Sequence, residues 1–131
     1  MSSANILTAF NDHFIEFVTD VHSVFPEDKD ILVAKNAILM IRRMNPKMII
    51  NIWNECVVGK YKGEIERGDI GFFIAKDYSK DLMDSQNPDS INRAIDRLRE
   101  PIKQMNPDEQ GKAMKYIQNL TKLADIYETS A

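Results

Sequence analysis

The chain has 131 residues, a formal net charge of −3, 44% hydrophobic and 28% charged residues, and one cysteine. That length suits one domain burying roughly two-thirds of its unfolded surface, and the composition excludes a disordered chain. A lone Cys56 excludes an intrachain disulfide, no apolar run nears the ~20 residues that span a bilayer, and net acidity argues against general nucleic-acid affinity.

Charge is segregated along the chain. Residues 1–30 carry six acids and one base, residues 31–62 six bases and one acid, and residues 63–90 seven acids and three bases. Such segments can neutralise one another within a fold or match patches on neighbouring subunits. The first five residues lack the basic and then apolar regions of a signal peptide, so an intracellular, reducing compartment is expected.

In chain order, Leu7, Phe10, Phe14, Phe17, Val21 and Val24 recur at steps of three and four, the stripe of an amphipathic helix. Ser3 is its candidate N-cap, and Phe25-Pro26 ends it because the residue before proline avoids the α region. Asp12, Glu16 and Asp20 run down its polar side. A second helix begins near Asp28 or Asp30, with Ile31, Ala34, Ile38 and Ile41 on one face. Val33, Ala37, Met40 and Met44 widen that face, which predicts a helix more buried than the first. Arg42 and Arg43 sit in its last turn, where cations suit the carbonyl end of the macrodipole.

Three Asn-Pro dipeptides punctuate the rest: Asn45-Pro46, Asn87-Pro88 and Asn106-Pro107. Asn accepts from first-turn amides and proline fits the next position, so each pair predicts a new helix. The helix after Pro46 carries Ile49, Ile52, Trp53, Cys56 and Val57, with Gly59 as its candidate terminator. The polar stretch Lys60–Asp69 allows one helical turn around Ile65. Asp69–Tyr78, with Ile70, Phe73 and Ile74, favours a short helix over a brief strand. Asp84–Ser90 reads as the longest loop. Ile91, Ile95, Leu98, Ile102 and Met105 follow at helical steps, with Pro101 predicted to kink or break the run. The last helix opens at Asn106 with Glu109 three residues on, a capping box, and carries Met114, Ile117, Leu120, Ala124 and Tyr127.

The search for chemistry yields little. His13 and His22 point in opposite directions on one helix and cannot share a metal. His13 and Glu16 share a face without the further carboxylates that a di-metal bundle needs, and read as solvated surface. Cys56, on an apolar stripe, reads as a packed thiol rather than a nucleophile. The glycines form neither a phosphate loop nor a dinucleotide fingerprint. No catalytic, cofactor-binding or metal-binding set is therefore expected. Arg42, Arg43, Lys47, Lys60 and Lys62, interleaved with Trp53 and Tyr61, form the one patch that could contact nucleic acid. Trp53 lies in an apolar stripe and is expected in the core.

Lys35–Trp53 (KNAILMIRRMNPKMIINIW), Gly68–Leu82 (GDIGFFIAKDYSKDL) and Ile95–Tyr127 together resemble small helical proteins of nucleocytoplasmic large DNA viruses that infect algae and protists. The resemblance is one of texture and capping and carries no functional residues. It implies a non-enzymatic virion component such as a minor capsid protein, located in the virion or host cytoplasm and bound to capsid proteins, other virion proteins or itself. The expected fold is all-α, a single domain over residues 1–131 with five to six helices of unequal length. Phe10, Phe14 and Phe17, or Ile70, Phe72 and Phe73, are the candidate apolar contact surfaces. Arg42, Arg43 and Lys47 carry the alternative reading, a nucleic-acid-binding regulator.

Overall fold

A computed structural model describes residues 3–55, 59–68, 71 and 100–130. The fold is all-α, and no strand occurs among the described residues. In chain order the helices are α1 (Ser3–Val24), α2 (Lys29–Met44), α3 (Met48–Trp53), α4 (Gly59–Glu66) and α5 (Pro107–Ser130), and residues 100–104 are also helical. Ile70, Phe72 and Phe73, Cys56, and the Asn87-Pro88 start lie outside the described residues, as does the chain before residue 100 on which the Pro101 kink depends.

The long helices α1 and α5 pack against each other, and α2 covers another side of α1. The short α3 touches α1, α2 and α5, while α4 rests on α5. One cluster joins them: Phe10, Phe17, Val18 and Val21 of α1, Ile31, Ala34 and Ile38 of α2, Ile50, Ile65, and the α5 face Ala113, Met114, Ile117, Leu120 and Ala124. Ile6 and Val18 are also fully buried, outside the predicted α1 stripe. A helix covered by neighbours on two sides needs a wider apolar surface than one stripe.

The helix ends show how the sequence sets the boundaries. Asp28 caps α2, its side chain accepting from the amides of Asp30 (2.9 Å) and Ile31 (3.3 Å), which satisfies donors that the helix leaves orphaned. At α5 the expected capping box is formed. The Glu109 amide donates to Asn106 Oδ1 at 2.8 Å, and the Asn106 amide donates to Glu109 Oε1 at 3.1 Å.

Asn45 only partly meets expectation: its Oδ1 accepts from the Lys47 amide at 3.3 Å, but α3 starts later than the dipeptide suggests. Asn45 is the C-cap of α2, its amide donating to the Ile41 carbonyl at 2.8 Å. Its own carbonyl then accepts from the Met48 amide at 3.1 Å, an i to i+3 turn, so the α pattern resumes only at Met48. Gly59 is likewise corrected: it opens α4 instead of ending α3. Gly68 follows α4 with φ of +73°, a left-handed conformation that glycine adopts without a Cβ clash. The α4 carbonyl of Ile65 accepts from the side-chain amide of Gln118 on α5 at 3.0 Å.

Three side chains bolt α3 and the turn before it to the long helices. Asn11, only 2% exposed, donates to the Pro46 carbonyl at 3.0 Å. Trp53 Nε1 donates to Thr121 Oγ1 at 3.1 Å, and that hydroxyl donates to the Ile117 carbonyl at 2.8 Å. The Asn54 side-chain amide reaches the Ala124 carbonyl at 3.1 Å. Trp53 also sits edge-on to Phe10 and Phe14, with centroids 6.2 and 5.8 Å away, a geometry favoured by the ring quadrupoles. Trp53 thus belongs with the core, as its spacing predicted.

Candidate interaction surface

Two regions remain after the core is accounted for: a polar cluster between α1 and α5, and an uncovered apolar face on α2.

The polar cluster is built on the α1 carboxylates, which rise at four-residue steps. Asp12 pairs with Arg42 of α2 at 2.7 Å. Glu16 and Asp20 share the single O–H of Tyr116 from α5, which lies 3.3 Å from Glu16 and closer still to Asp20. The Tyr116 ring stacks on Phe17 at 5.3 Å and lies tilted against His13 at 4.8 Å. His13 is therefore half-buried, which corrects its reading as solvated surface. Its Nδ1 lies 3.8 Å from Glu16, and its buried Nε2 has no hydrogen-bond partner among the described residues. The row is the acid half of contacts to α2 and α5.

Burial, the hydrogen bond to Asp20 and the nearby negative charges of Asp20 and Glu16 push the Tyr116 hydroxyl well above its ordinary value of 10.0. The group holds its proton more firmly than a free tyrosine, the opposite of what a general base requires. Beside it, Phe17, Asp20, Met105, Lys112 and Tyr116 help line an open cleft of about 220 Å³. No group of three or more metal-ligating side chains occurs among the described residues, and no described helix is long and apolar enough to cross a membrane.

The second region arises because α2 has two apolar faces. Ile31, Ala34 and Ile38 are buried. The face expected to widen that core does not do so: Val33 is 45% exposed, Met40 61% and Met44 79%. With half-buried Ala37 between them, they form a stripe at steps of four, three and four. Leu32 is exposed as well. The prediction that α2 is more buried than α1 is thus overturned: among the described residues α2 packs against α1 and α3 alone. A monomer seldom leaves grouped large apolar side chains uncovered without a use for them. Two methionines suit a contact surface, since their flexible side chains adapt to a partner's shape.

The structure separates the residues singled out by sequence. Phe10 is fully buried and Phe17 is 5% exposed, while Phe14 is partly buried against them. Their number is explained by the aromatic core shared with Trp53 and Tyr116, so the α1 aromatics are packing and not a contact surface. Arg42 is half-buried and committed to Asp12, whereas Arg43 and Lys47 are exposed. The basic patch is accordingly reduced by one charge. Sequence reasoning missed Tyr116, whose partners lie about 100 residues away. It had named Val33, Met40 and Met44 but placed them in the core. Compared with protein-family models, curated proteins and solved structures, the chain matches none.

Proposed function

We propose that this chain is a non-enzymatic protein-interaction domain that works through the exposed face of α2, and that it serves as a minor capsid or other virion-associated component of a large DNA virus. The observation that supports the interaction role is the stripe Val33, Met40 and Met44, large apolar side chains left exposed while Ile31, Ala34 and Ile38 of the same helix are buried. The virion setting rests on the sequence texture of Lys35–Trp53, Gly68–Leu82 and Ile95–Tyr127. Docking needs complementary surfaces and no reacting group, and a desolvated apolar patch with a polar rim is the usual anatomy of such a surface. The competing nucleic-acid reading is weakened by the Asp12–Arg42 pair, which occupies one of its three cations.

The test combines particle analysis with DNA titration. Mass spectrometry of purified virions should find the chain in stoichiometric amount. A Met40→Asp/Met44→Asp variant should be lost from particles while melting as the parent does. Duplex and single-stranded DNA should bind at neither ~50 nor ~200 mM salt. Absence from particles overturns the virion assignment. DNA binding that collapses at the higher salt and vanishes in Arg42→Ala/Arg43→Ala overturns the interaction role.

A further inference from the structure

The methionines of this chain divide by exposure. Among the described residues Met40 and Met44 are the most exposed of them, at 61% and 79%, while Met105 and Met114 are 8% and 5% exposed and belong to the core cluster. Met48 is half-buried, and Met1 and Met83 lie outside the described residues. Met40 and Met44 stand four residues apart at the carboxyl end of α2, so one helix face carries both. A thioether is a two-electron nucleophile, and its reaction with a dissolved oxidant follows access to the sulfur. The arrangement directs that chemistry to the apolar stripe and withholds it from the core.

We propose that Met40 and Met44 form a peroxide-sensitive modification site that turns the α2 face from apolar to polar without disturbing the fold. In its effect on docking the inference rests on the reading of α2 as a contact surface. With hydrogen peroxide as oxidant, a sulfur lone pair attacks one peroxide oxygen, and an S–O bond forms as the O–O bond breaks. The departing hydroxide takes the proton of the transferred oxygen and leaves as water. Sulfur loses two electrons and the peroxide gains them. The sulfoxide oxygen is a strong hydrogen-bond acceptor, so it holds water where the thioether shed it. Pressed against an apolar partner surface, that oxygen would be desolvated without a donor. Neither methionine belongs to the core cluster, so the helices keep their packing. The same oxygen on Met105 or Met114 would enter the core. Of the stripe only Val33 and Ala37 would stay apolar, too little surface for a contact patch. A thiol-dependent sulfoxide reductase returns the thioether, oxidising two thiols to a disulfide and releasing the oxygen as water, so the change is reversible.

Peptide mapping of the full chain over a hydrogen peroxide time course, with free methionine as the rate standard, tests the site. Met40 and Met44 should react within about threefold of free methionine, and Met105 and Met114 at least about tenfold more slowly than either. The oxidised chain should then leave a phenyl column earlier, while its thermal melt stays that of the unreacted protein. Met40→Leu/Met44→Leu, an apolar replacement of similar volume, should keep the parent's retention through the same treatment, which controls for the other methionines. Equal rates at all four positions, a melt that collapses as Met40 and Met44 react, or an equal retention loss in the leucine variant overturns the proposal. Met40→Gln/Met44→Gln, a neutral polar stand-in for the sulfoxide, separates the switch from the docking surface. It should be depleted from particles about tenfold, the effect of burying an unpaired acceptor, while the leucine variant enters as the parent does. A glutamine variant that enters particles when Met40→Asp/Met44→Asp is excluded overturns the switch and leaves the docking surface standing. Entry of both overturns the docking reading and the regulation with it.

Discussion

Helices α1 and α2 are both rich in apolar residues at helical spacing, yet they meet opposite fates. Six residues of α1 are buried, and its aromatic side chains reach toward α3 and α5. Only three residues of α2 are buried, and its second apolar face lies open. The difference comes from neighbours rather than composition. Among the described residues α1 packs against α5, α2 and α3, whereas α2 packs against α1 and α3 only. Periodicity reports that a helix has an apolar face. The number of neighbours decides whether that face is core or surface.

The largest test of this contrast substitutes one residue on each helix. Phe10→Ala should destabilise the fold by about 3–5 kcal/mol, through lost transfer free energy and an unfilled cavity, while Met44→Ala should change it by less than about 0.5 kcal/mol. Urea melts of both, run in dilute solution, make the comparison. A loss of about 2 kcal/mol or more at Met44 would mean the stripe is covered and the contrast is false.

A polar residue sharpens the same comparison. Asn11→Ala removes the hydrogen bond to the Pro46 carbonyl and leaves a small void, so a loss of about 1–2 kcal/mol is expected. Hydrogen exchange should report faster opening of α3 than of α5 in that variant. Equal acceleration in both would show that Asn11 does not act on the turn before α3.

Charge should matter less. Arg42→Ala breaks the pair with Asp12, whose carboxylate is largely solvated, and the expected effect is below about 1 kcal/mol and smaller still in high salt. A salt-independent loss above that limit would point to packing by the arginine stem rather than to its charge.

At neutral pH, Tyr116→Phe should have the smallest effect, and its signature lies in alkali. Because the folded state raises the Tyr116 pKa above 10.0, the stability linked to its proton is present below pH 10. That stability is lost as pH rises past 10 toward the folded value. Thermal melts from neutral to alkaline pH should therefore fall more steeply for the parent than for Tyr116→Phe. Parallel curves would show that the hydroxyl is not held by Asp20 and Glu16.

Much of this architecture was legible in the sequence, and the reasons are local. The spans of α1, α2 and α5, the Asp28 cap and the Asn106–Glu109 box are decided within a few residues of chain. Asn45 serves both helices: its backbone amide ends α2 on the Ile41 carbonyl, while its side chain accepts from the Lys47 amide at 3.3 Å, so only the start of the α pattern was placed too early. Ile6 and Val18 were missed because they face neighbours that no single stripe anticipates. The Tyr116 cluster was invisible, since its carboxylates and hydroxyl meet only when α5 folds back on α1. The candidate surface was legible as residues and illegible as a surface. Val33, Met40 and Met44 have the character of core, and nothing within α2 tells which of its two faces will be covered.

That return of α5 onto α1 has a consequence for biosynthesis. Tyr116 and Glu16 are separated by 100 positions, and a ribosome adding about 5–20 residues per second takes roughly 5–20 s to make that interval. For that time the aromatic side of α1 exists without the helix that packs against it. Phe17, which stacks on Tyr116 in the folded protein, is thus expected to lack its α5 partner until synthesis passes Pro107. Stalled chains ending before Pro107 should be cut within α1 as readily as an unfolded peptide. Protection at that stage would mean that α1 finds shelter without α5.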